Sequence, residues 1–377
     1  MHFMDVLTSI QSIQSLLCLA AVLDFVVGDP QKFPHPVQFM GWLILRFQAV
    51  ALRRITLPWG QRWAGVVLGI GMTFGSAVIG GGIVSAAMLL GWEWGLAIAT
   101  VLLASCFAGR SLRGAAEDVL ESLTQGTLES ARERLSGYVG RDTATLSEAE
   151  IYRAVFETVA ENAVDGVLAP LFFASLGGSL GLFLALQFAQ NSCFAHRAPL
   201  GGPPFWGGLN PSQVAATALS GAVALTFFYK ASSTLDSMVG YRTEPYRDLG
   251  WFSARLEDKL TWFPCRLAVL SIAALAGLLG WASPMRVLQL CRRDASQDAS
   301  PNSGWSECVY AAALGVQVGG ENYYQGILRR KPYLGDDRQP ITPERIQNAL
   351  LLTRLCFLLW LAIALVILGL EPVICRG

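Results

Sequence analysis

Residues 63–92 read WAGVVLGIGMTFGSAVIGGGIVSAAMLLGW and contain no charged side chain. A helix that crosses the hydrocarbon core of a bilayer, about 30 Å thick, needs roughly 20 apolar residues. This run is therefore long enough to span a membrane as one helix. Further uncharged runs occupy residues 94–109, 166–195, 198–229, 267–282 and 355–370. The pattern predicts an all-α fold, namely a polytopic α-helical integral membrane protein.

The composition indicates the same class of protein. Hydrophobic residues make up 53% of the chain and charged residues only 15%, whereas soluble domains carry about 25% charged residues. The net charge is zero, which argues against a nucleic-acid partner because nucleic-acid-binding proteins present a basic surface. We therefore expect a single integral membrane domain over residues 1–377, with the lipid bilayer as its surroundings.

The cysteines and histidines do not form metal-binding patterns. None of the eight cysteines lies in a C-x-x-C pair, and the three histidines are far apart in the chain. Scattered cysteines of this kind are typical of small apolar side chains in a reducing compartment. The sequence therefore predicts no zinc site and no disulfide framework.

The charged residues gather in four polar segments, 24–62, 110–165, 230–266 and 286–354. The first contains five basic and two acidic residues, and basic loops face the cytoplasm under the positive-inside rule. Two uncharged runs separate the first segment from the second, and two more separate the second from the third. Each pair of crossings returns the chain to the same side, so we expect these segments to be cytoplasmic.

The side on which the fourth polar segment lies depends on the run 267–282. Its 16 residues reach only about 24 Å as a helix, at 1.5 Å per residue. We therefore expect a half-span that keeps all four polar segments in the cytoplasm. A full crossing is the alternative, and it would place residues 286–354 outside.

The second polar segment ends in a helix with a clear start signal. Ser147 and Glu150 have the spacing of a capping box, in which each side chain binds the backbone of the other residue. The helix is expected to run to Gly166, because Pro170 follows soon after and prolines disfavour continuation.

Three carboxylates lie on one face of that predicted helix. Glu157, Glu161 and Asp165 are spaced i, i+4 and i+8, and like charges at this spacing repel by a few tenths of a kcal/mol per pair. A cation or a basic partner is therefore expected beside them. A solvated acidic face is the alternative, but this stripe includes Asn162 and ends at the edge of a membrane run, which favours a site.

A second polar signature follows the uncharged run 198–229. Lys230 ends this run, and six residues later Asp236, Ser237 and Tyr241 form a polar cluster. A lysine at the end of a span often extends its ammonium group to water. The polar cluster that follows is not needed for that, and it favours an anion-binding site.

Other motifs narrow the choice of chemistry. No G-x-x-x-x-G-K-[ST] and no G-x-G-x-x-G sequence occurs, so neither a P-loop nor a Rossmann unit is expected. A proline-braced loop carries Asp29 and His35 after the first apolar run. Its prolines would stop a helix by themselves; if the loop meets a ligand, these two residues are the ones that it presents.

Eight segments taken together resemble one family. They are Gly28-Asp29-Pro30 with Pro34-His35-Pro36, residues 139–143, residues 160–166, Tyr229-Lys230, residues 234–241, residues 251–258, residues 300–305 and residues 315–320. In this order they are similar to the adenosylcobinamide-phosphate synthase family of cobalamin biosynthesis. The resemblance covers most of the chain.

The resemblance implies an activity and a location. Members of this family join aminopropanol phosphate to a propionate carboxylate of adenosylcobyric acid by ATP-dependent amide formation, which gives adenosylcobinamide phosphate. The expected setting is the bacterial inner membrane, with a multi-pass chain and an active site that faces the cytoplasm. Other membrane enzymes of the corrinoid pathway are possible partners.

Two rival functions belong to different classes. A transporter also places polar residues in apolar spans, but it would concentrate them at breaks near the membrane midplane. Here 44 of the 56 charged residues lie in segments 110–165, 230–266 and 286–354, which favours an enzyme. A membrane scaffold for the enzymes of nucleotide-loop assembly would leave both polar signatures without a use.

The resemblance also suggests roles for the polar residues. The implied cofactors are ATP and Mg²⁺, a cation that prefers oxygen ligands, and the metal candidates are Glu157, Glu161 and Asp165. The phosphate candidates are Lys230, Arg242 and Arg255, since an arginine fork suits phosphate. Asp236 or Asp258 is expected to act as the base, with Lys230 as a further catalytic residue. The remaining substrate-binding candidates are Asn162, Ser237, Tyr241, Asn302, Asp29 and His35.

Overall fold

A computed structural model describes residues 3–28, 35–195, 210–241 and 243–374. These residues form helices and one small antiparallel sheet, of strands β1 (Val318–Tyr324) and β2 (Ile327–Leu334), which confirms the predicted polytopic helical fold. The helices, in chain order, are α1 (Phe3–Val26), α2 (Pro36–Arg54), α3 (Pro58–Leu90), α4 (Trp92–Ala104), α5 (Gly109–Gln125), α6 (Leu128–Ser136), α7 (Glu148–Asn162), α8 (Ala169–Ala195), α9 (Pro211–Val239), α10 (Trp251–Leu278), α11 (Pro284–Asp294), α12 (Ser303–Leu314) and α13 (Pro343–Ile374).

Seven helical stretches among the described residues are long and apolar enough to cross a membrane. The protein is therefore a multi-pass membrane protein, as the uncharged runs predict. The stretches are Leu7–Val26, Pro58–Leu90, Trp92–Gln125, Glu148–Phe188, Ser212–Val239, Trp251–Leu278 and Pro343–Leu370.

The length argument for a half-span at residues 267–282 is wrong. Helix α10 has 28 residues, which reach about 42 Å at 1.5 Å per residue. The uncharged run covers only the second half of this helix, because the helix begins in the charged sequence that precedes the run. Counting uncharged residues therefore underestimated the helix.

The prediction that the acidic helix ends at Gly166 is also wrong. The chain turns from α7 into a π-helical segment, Ala163–Leu168, and continues as α8 through Pro170. Pro170 has no N–H to give to the Gly166 carbonyl, and the N–H of Ala108 donates to that carbonyl instead, at 2.9 Å. The wider π-turn and this outside donor allow the helix to pass its proline.

The described contacts divide the chain into two compact units. Unit 1 takes the described residues of 1–107, 170–257 and 360–377, and unit 2 takes residues 108–169 and 258–359. In unit 1, α3 packs along α9, and α1 packs against α4 and α9. In unit 2, α5 and α6 pack on α7, and α12 lies between α11, α7 and the β-hairpin.

Glycines let α8 and α9 approach closely in unit 1. A Cβ atom on Gly177 would lie 2.3 Å from the Gly221 carbonyl oxygen, and one on Gly221 would lie 2.5 Å from the Gly177 carbonyl oxygen. Gly181, four residues after Gly177, would meet the Thr217 carbonyl oxygen at 2.7 Å. Small residues at this spacing are a frequent contact between membrane helices, because they let the backbones touch.

We expect Gly221→Val to destabilise unit 1 by about 1–3 kcal/mol or more, since the new side chain has no space beside the α8 backbone. Gly75→Val in α3 is the matched control, because a Cβ there meets no atom within 4 Å. The midpoint of thermal unfolding in detergent can be followed with a thiol-reactive dye that reports exposure of buried cysteines such as Cys106. Equal midpoints for the two variants would contradict the close contact.

The β-hairpin of unit 2 closes through Gln325 and Gly326, whose φ angles are 52° and 76°. Two positive φ angles in a two-residue loop are the mark of a type I′ turn. The backbone N–H groups of both residues donate to the Asp142 carboxylate, at 3.0 and 2.7 Å. Asp142 thereby holds the turn on the loop before α7.

Candidate functional site

The predicted site residues fall into both units. Asp29 and Arg242 lie outside the described residues, so their assignments stay predictions. Unit 2 contains Glu157, Glu161, Asn162, Asp165, Asp258 and Asn302, and unit 1 contains His35, Lys230, Asp236, Ser237, Tyr241 and Arg255.

The three carboxylates of the acidic stripe have different surroundings. Glu157 is buried, Glu161 is exposed and Asp165 is half-buried. Glu157 and Glu161 belong to α7, whereas Asp165 lies in the π-helical segment, where the residues per turn increase. Asp165 thus lies on a wider turn than the two glutamates, and its place on a common acidic face stays a prediction.

Glu157 forms a buried ion pair with Arg141. Arg141 Nη2 donates to Glu157 Oε2 at 2.5 Å, and the two side chains are 8% and 2% exposed. The other oxygen, Oε1, accepts the backbone N–H of Gly319 at 2.9 Å. Both carboxylate oxygens are thus bound by donors from other parts of unit 2.

Strand β1 brings an amide to the same arginine. Arg141 Nη1 donates to Asn322 Oδ1 at 2.9 Å, and Arg153 Nη2 donates to the same oxygen at 3.3 Å. Arg153 also donates to the carbonyl oxygens of Gly319 and Glu321. The two arginines therefore hold the strand against α7.

A second buried ion pair joins α12 to strand β2. Lys331 Nζ donates to Glu307 Oε1 at 2.7 Å, and the Glu307 side chain is fully buried while that of Lys331 is 27% exposed. Burial raises the pKa of Glu307 to about 8; Lys331 opposes the rise, and the Glu161 and Glu157 carboxylates add to it. Burial opposes the charge of Lys331, but Glu307, Glu161 and Glu157 outweigh it and raise its pKa. The pair thus consists of the Lys331 ammonium and the Glu307 carboxyl, whose affinity for a proton is raised.

We call the side chains of these two ion pairs, together with Arg153 and Asn322, the buried charge cluster. Glu161, which is exposed, lies at its margin, since its charge acts on both Glu307 and Lys331. The cluster consists of Arg141, Arg153, Glu157, Glu307, Asn322 and Lys331.

The carboxylates do not fit the predicted magnesium site. Among the described residues, no three Asp, Glu, His or Cys side chains are grouped to hold a metal ion. Glu157 in particular has both oxygens engaged by Arg141 and Gly319. A cation held by Glu161 or Asp165 together with nucleotide phosphates stays a prediction.

The second polar signature belongs to helix α9. Lys230 lies nine residues before Val239, where the helix ends, so it is not at the end of the helix as the uncharged run predicts. Residues six apart differ by about 120° around a helix axis. Lys230 therefore shares its face with Ser237, seven residues later, and not with Asp236. Their roles in phosphate binding and base catalysis stay predictions.

The remaining candidates of unit 1 have structural contacts. The exposed guanidinium of Arg255 lies 4.9 Å from the ring centroid of Trp251. Tyr241 is 54% exposed, with its ring 6.1 Å from that of Tyr246. His35 Nδ1 accepts the N–H of Val37 at 3.2 Å, so this histidine caps α2. Their proposed contacts with substrate are untested.

Asn302 links α10 to the start of α12. Its Nδ2 donates to the Asp258 carbonyl at 2.9 Å, and its Oδ1 accepts from Arg266 at 3.0 Å. The Arg266 guanidinium in turn lies between the rings of Trp262 and Trp305, at 5.2 and 4.9 Å from their centroids. The amide is bound at both ends, which gives Asn302 a structural role in addition to the predicted one. Asn162, by contrast, is exposed, and its Nδ2 donates to the Thr158 carbonyl within the same helix, at 2.9 Å.

Sequence reasoning missed most of the buried charge cluster. Arg141 lies in segment 139–143 and Glu307 follows segment 300–305, so both are close to segments that carry the family resemblance. Asn322 and Lys331 lie in the hairpin, which was not predicted. Only the fold brings these four residues to Glu157.

Comparisons with known proteins give one family. The family model described as CobD/Cbib protein matches residues 17–196 and 200–353. No solved structure matches the chain.

Curated relatives agree with the family model. The chain is 44% identical over 349 residues to a cobalamin biosynthesis protein CobD of Synechocystis, which covers 93% of this chain and 90% of the relative. It is 38% identical over 342 residues to a cobalamin biosynthesis protein CbiB of Salmonella typhi, covering 88% of this chain and 90% of the relative. It is 37% identical over 360 residues to a CobD of Yersinia enterocolitica, covering 93% and 98%.

Proposed function

The chain belongs to the CobD/CbiB family of cobalamin biosynthesis proteins, and we propose that it joins aminopropanol phosphate to adenosylcobyric acid. The reaction is ATP-dependent amide formation at a propionate carboxylate, and its product is adenosylcobinamide phosphate. A role in cobalamin biosynthesis follows from the family; the particular reaction is our proposal.

The buried charge cluster supports an enzyme. Two ion pairs, Arg141–Glu157 and Lys331–Glu307, are largely removed from water. Desolvation of such pairs costs several kcal/mol per ion and is often not recovered in stability. The first pair holds strand β1 against α7, and both pairs fix charges inside unit 2. A reaction between charged substrates requires such fixed charges.

The reaction sets requirements that the cluster can meet. A carboxylate does not react with an amine until one of its oxygens becomes a leaving group, and ATP supplies that group as an acyl phosphate or an acyl adenylate. The amine then forms the C–N bond, the phosphate or AMP leaves with the bonding electrons, and a base takes a proton from nitrogen. Fixed cations stabilise the leaving oxygens, and the Glu307 carboxyl, whose pKa is raised, suits the proton transfer.

The test uses purified full-length protein in detergent with ATP, Mg²⁺, adenosylcobyric acid and aminopropanol phosphate. We expect an amide product that mass spectrometry identifies, and we expect none when ATP is left out. ATP hydrolysis without any new amide, at all substrate concentrations, would contradict the proposal. Uptake of corrinoid into vesicles without amide formation would favour a transporter instead.

We further expect a cytoplasmic site. Single cysteines in place of the exposed residues Arg54, Glu129 and Glu244, in a variant whose eight native cysteines are replaced by alanine, test this orientation. All three should resist an impermeant maleimide in intact cells and react after permeabilisation. Labelling at position 244 alone would mean that α8 or α9 does not cross the membrane.

A further inference from the structure

Three polar atoms of the buried charge cluster have no hydrogen-bond partner among the described residues. They are Glu307 Oε2, Asn322 Nδ2 and Arg153 Nε. The Glu307 and Asn322 residues are 0% and 2% exposed, so these atoms lie below the surface of unit 2. A buried polar atom without a partner destabilises the fold, and such atoms are rare enough in proteins to need an explanation.

The three atoms differ in what they require. A carboxylate oxygen accepts a hydrogen bond, whereas the amide and guanidinium nitrogens donate one. A ligand that served the carboxylate oxygen and one of the nitrogens would therefore carry both a donor and an acceptor.

Lys331 has further hydrogen-bond donors, and its side chain is partly exposed to solvent. An ammonium group has three donors, and one of those on Lys331 is used in the bond to Glu307. The Lys331 side chain is 27% exposed. Glu161, which is exposed, acts electrostatically on both members of this pair. Lys331 is thus the member of the pair that is partly open to solvent.

Resting on the proposed function, we infer that Glu307 and Lys331 bind the amine substrate, a short amino-alkyl phosphate. Its amino group donates to Glu307 Oε2, and its phosphate accepts from Lys331. Asn322 Nδ2 is a further donor in the cluster. A zwitterion satisfies this set because it brings a cation to the carboxyl and an anion to the ammonium, and the ion pairs remain balanced.

Binding can be measured without turnover. Equilibrium dialysis of radiolabelled aminopropanol phosphate against the full-length protein in detergent, without ATP or corrinoid, reports affinity alone. The same protein is titrated with aminopropanol, which lacks the phosphate, and with propyl phosphate, which lacks the amine. For the unaltered protein we expect each half-ligand to bind about tenfold or more weakly than the zwitterion, a loss of about 1.4 kcal/mol or more.

Two variants separate the two contacts. Glu307→Gln should weaken aminopropanol phosphate about tenfold or more, because a charge-assisted hydrogen bond is lost, and should leave propyl phosphate unchanged. Lys331→Met should weaken both phosphates and leave aminopropanol unchanged. Asp294→Asn is the matched control: this buried carboxylate of unit 2 pairs with Arg293 and accepts the Gly335 N–H outside the cluster. It should bind all three ligands normally.

The outcomes distinguish this site from the proposed function. If Glu307→Gln binds aminopropanol phosphate as tightly as the unaltered protein, the atoms hold structural water only and the inference is wrong. The inference is equally wrong if the unaltered protein retains no aminopropanol phosphate at millimolar concentration. If Glu307-dependent binding is found without any amide product, the site stands and the proposed reaction fails. If Glu307→Gln does not fold, Lys331→Met and the half-ligand series on the unaltered protein still test whether this pair binds the amine substrate.

Discussion

Replacement of Arg141 by methionine is expected to lower the free energy of unfolding by about 3–5 kcal/mol, because it leaves the Glu157 carboxylate buried without its cation. The carboxylate side chain is only 2% exposed, so water cannot take the place of the guanidinium. The loss includes the bond to Asn322, by which Arg141 holds strand β1. The loss of stability is measured as a lower midpoint of thermal unfolding in detergent. A thiol-reactive dye reports the unfolding because Cys291 and Cys308 are buried in unit 2.

An exposed arginine serves as the control. Arg134 lies 3.5 Å from Asp118, with 60% of its side chain exposed, and a surface pair of this kind contributes about 0–1 kcal/mol. Arg134→Met should therefore leave the midpoint nearly unchanged. An equally small effect of Arg141→Met would show that the buried pair does not form in the folded protein.

A double variant tests whether the cost comes from the unpaired charge. Glu157→Gln removes the charge and keeps an oxygen for the Gly319 N–H. In combination with Arg141→Met it leaves neither charge of this pair, so the double variant should be more stable than the sum of the two single losses predicts. Simple additivity would mean that the pair contributes through packing alone.

The sequence predicts those parts of the fold that depend on local chemistry. The uncharged runs predict the spanning helices, because hydrocarbon requires every backbone group to be satisfied within the helix. The capping box at the start of α7 is confirmed: Glu150 N–H donates to Ser147 Oγ at 3.4 Å, and Ser147 N–H donates to Glu150 Oε2 at 2.8 Å. Both features depend on contacts between residues that are close together in the sequence.

Features that depend on distant partners could not be predicted in this way. The π-helical turn before Pro170 depends on the Ala108 N–H, which lies far away in sequence. The hairpin turn at Gln325-Gly326 lacks the usual Asn or Asp at its first position, and Asp142 stabilises it from the loop before α7. In each case a tertiary contact stabilises a conformation that the local sequence disfavours.

The candidate site shows the same division. Glu157 and Glu161 were found because their spacing on a helix is visible in the sequence. Their partners were not, since Arg141 precedes Glu157 by 16 residues in a loop and Lys331 follows Glu307 by 24 residues in a strand. A stripe of carboxylates indicates that a cation is near, but the sequence does not say whether it is a metal ion or an arginine.

Replacement of Asn302 by alanine is expected to cost about 2–4 kcal/mol of stability. It removes the hydrogen bonds to Arg266 and to the Asp258 carbonyl, at 3.0 and 2.9 Å. A neutral hydrogen bond contributes about 0.5–1.5 kcal/mol and one to a charged group about 1.5–3 kcal/mol. Asn302 is 5% exposed, so water does not replace the lost amide.

The predicted substrate contact and the structural role of Asn302 lead to different measurements. A structural role lowers the midpoint of thermal unfolding and the amount of active protein, while the KM of the remaining folded fraction stays the same. A substrate contact raises the KM for one substrate without a matching loss of stability. Asn162→Ala is the control for the amide itself, because Asn162 is exposed and its Nδ2 donates within its own helix, to Thr158, and its loss should cost less than about 1 kcal/mol. Because both ends of the Asn302 amide are bound within the chain, we expect the first result; an unchanged midpoint with a raised KM would overturn it.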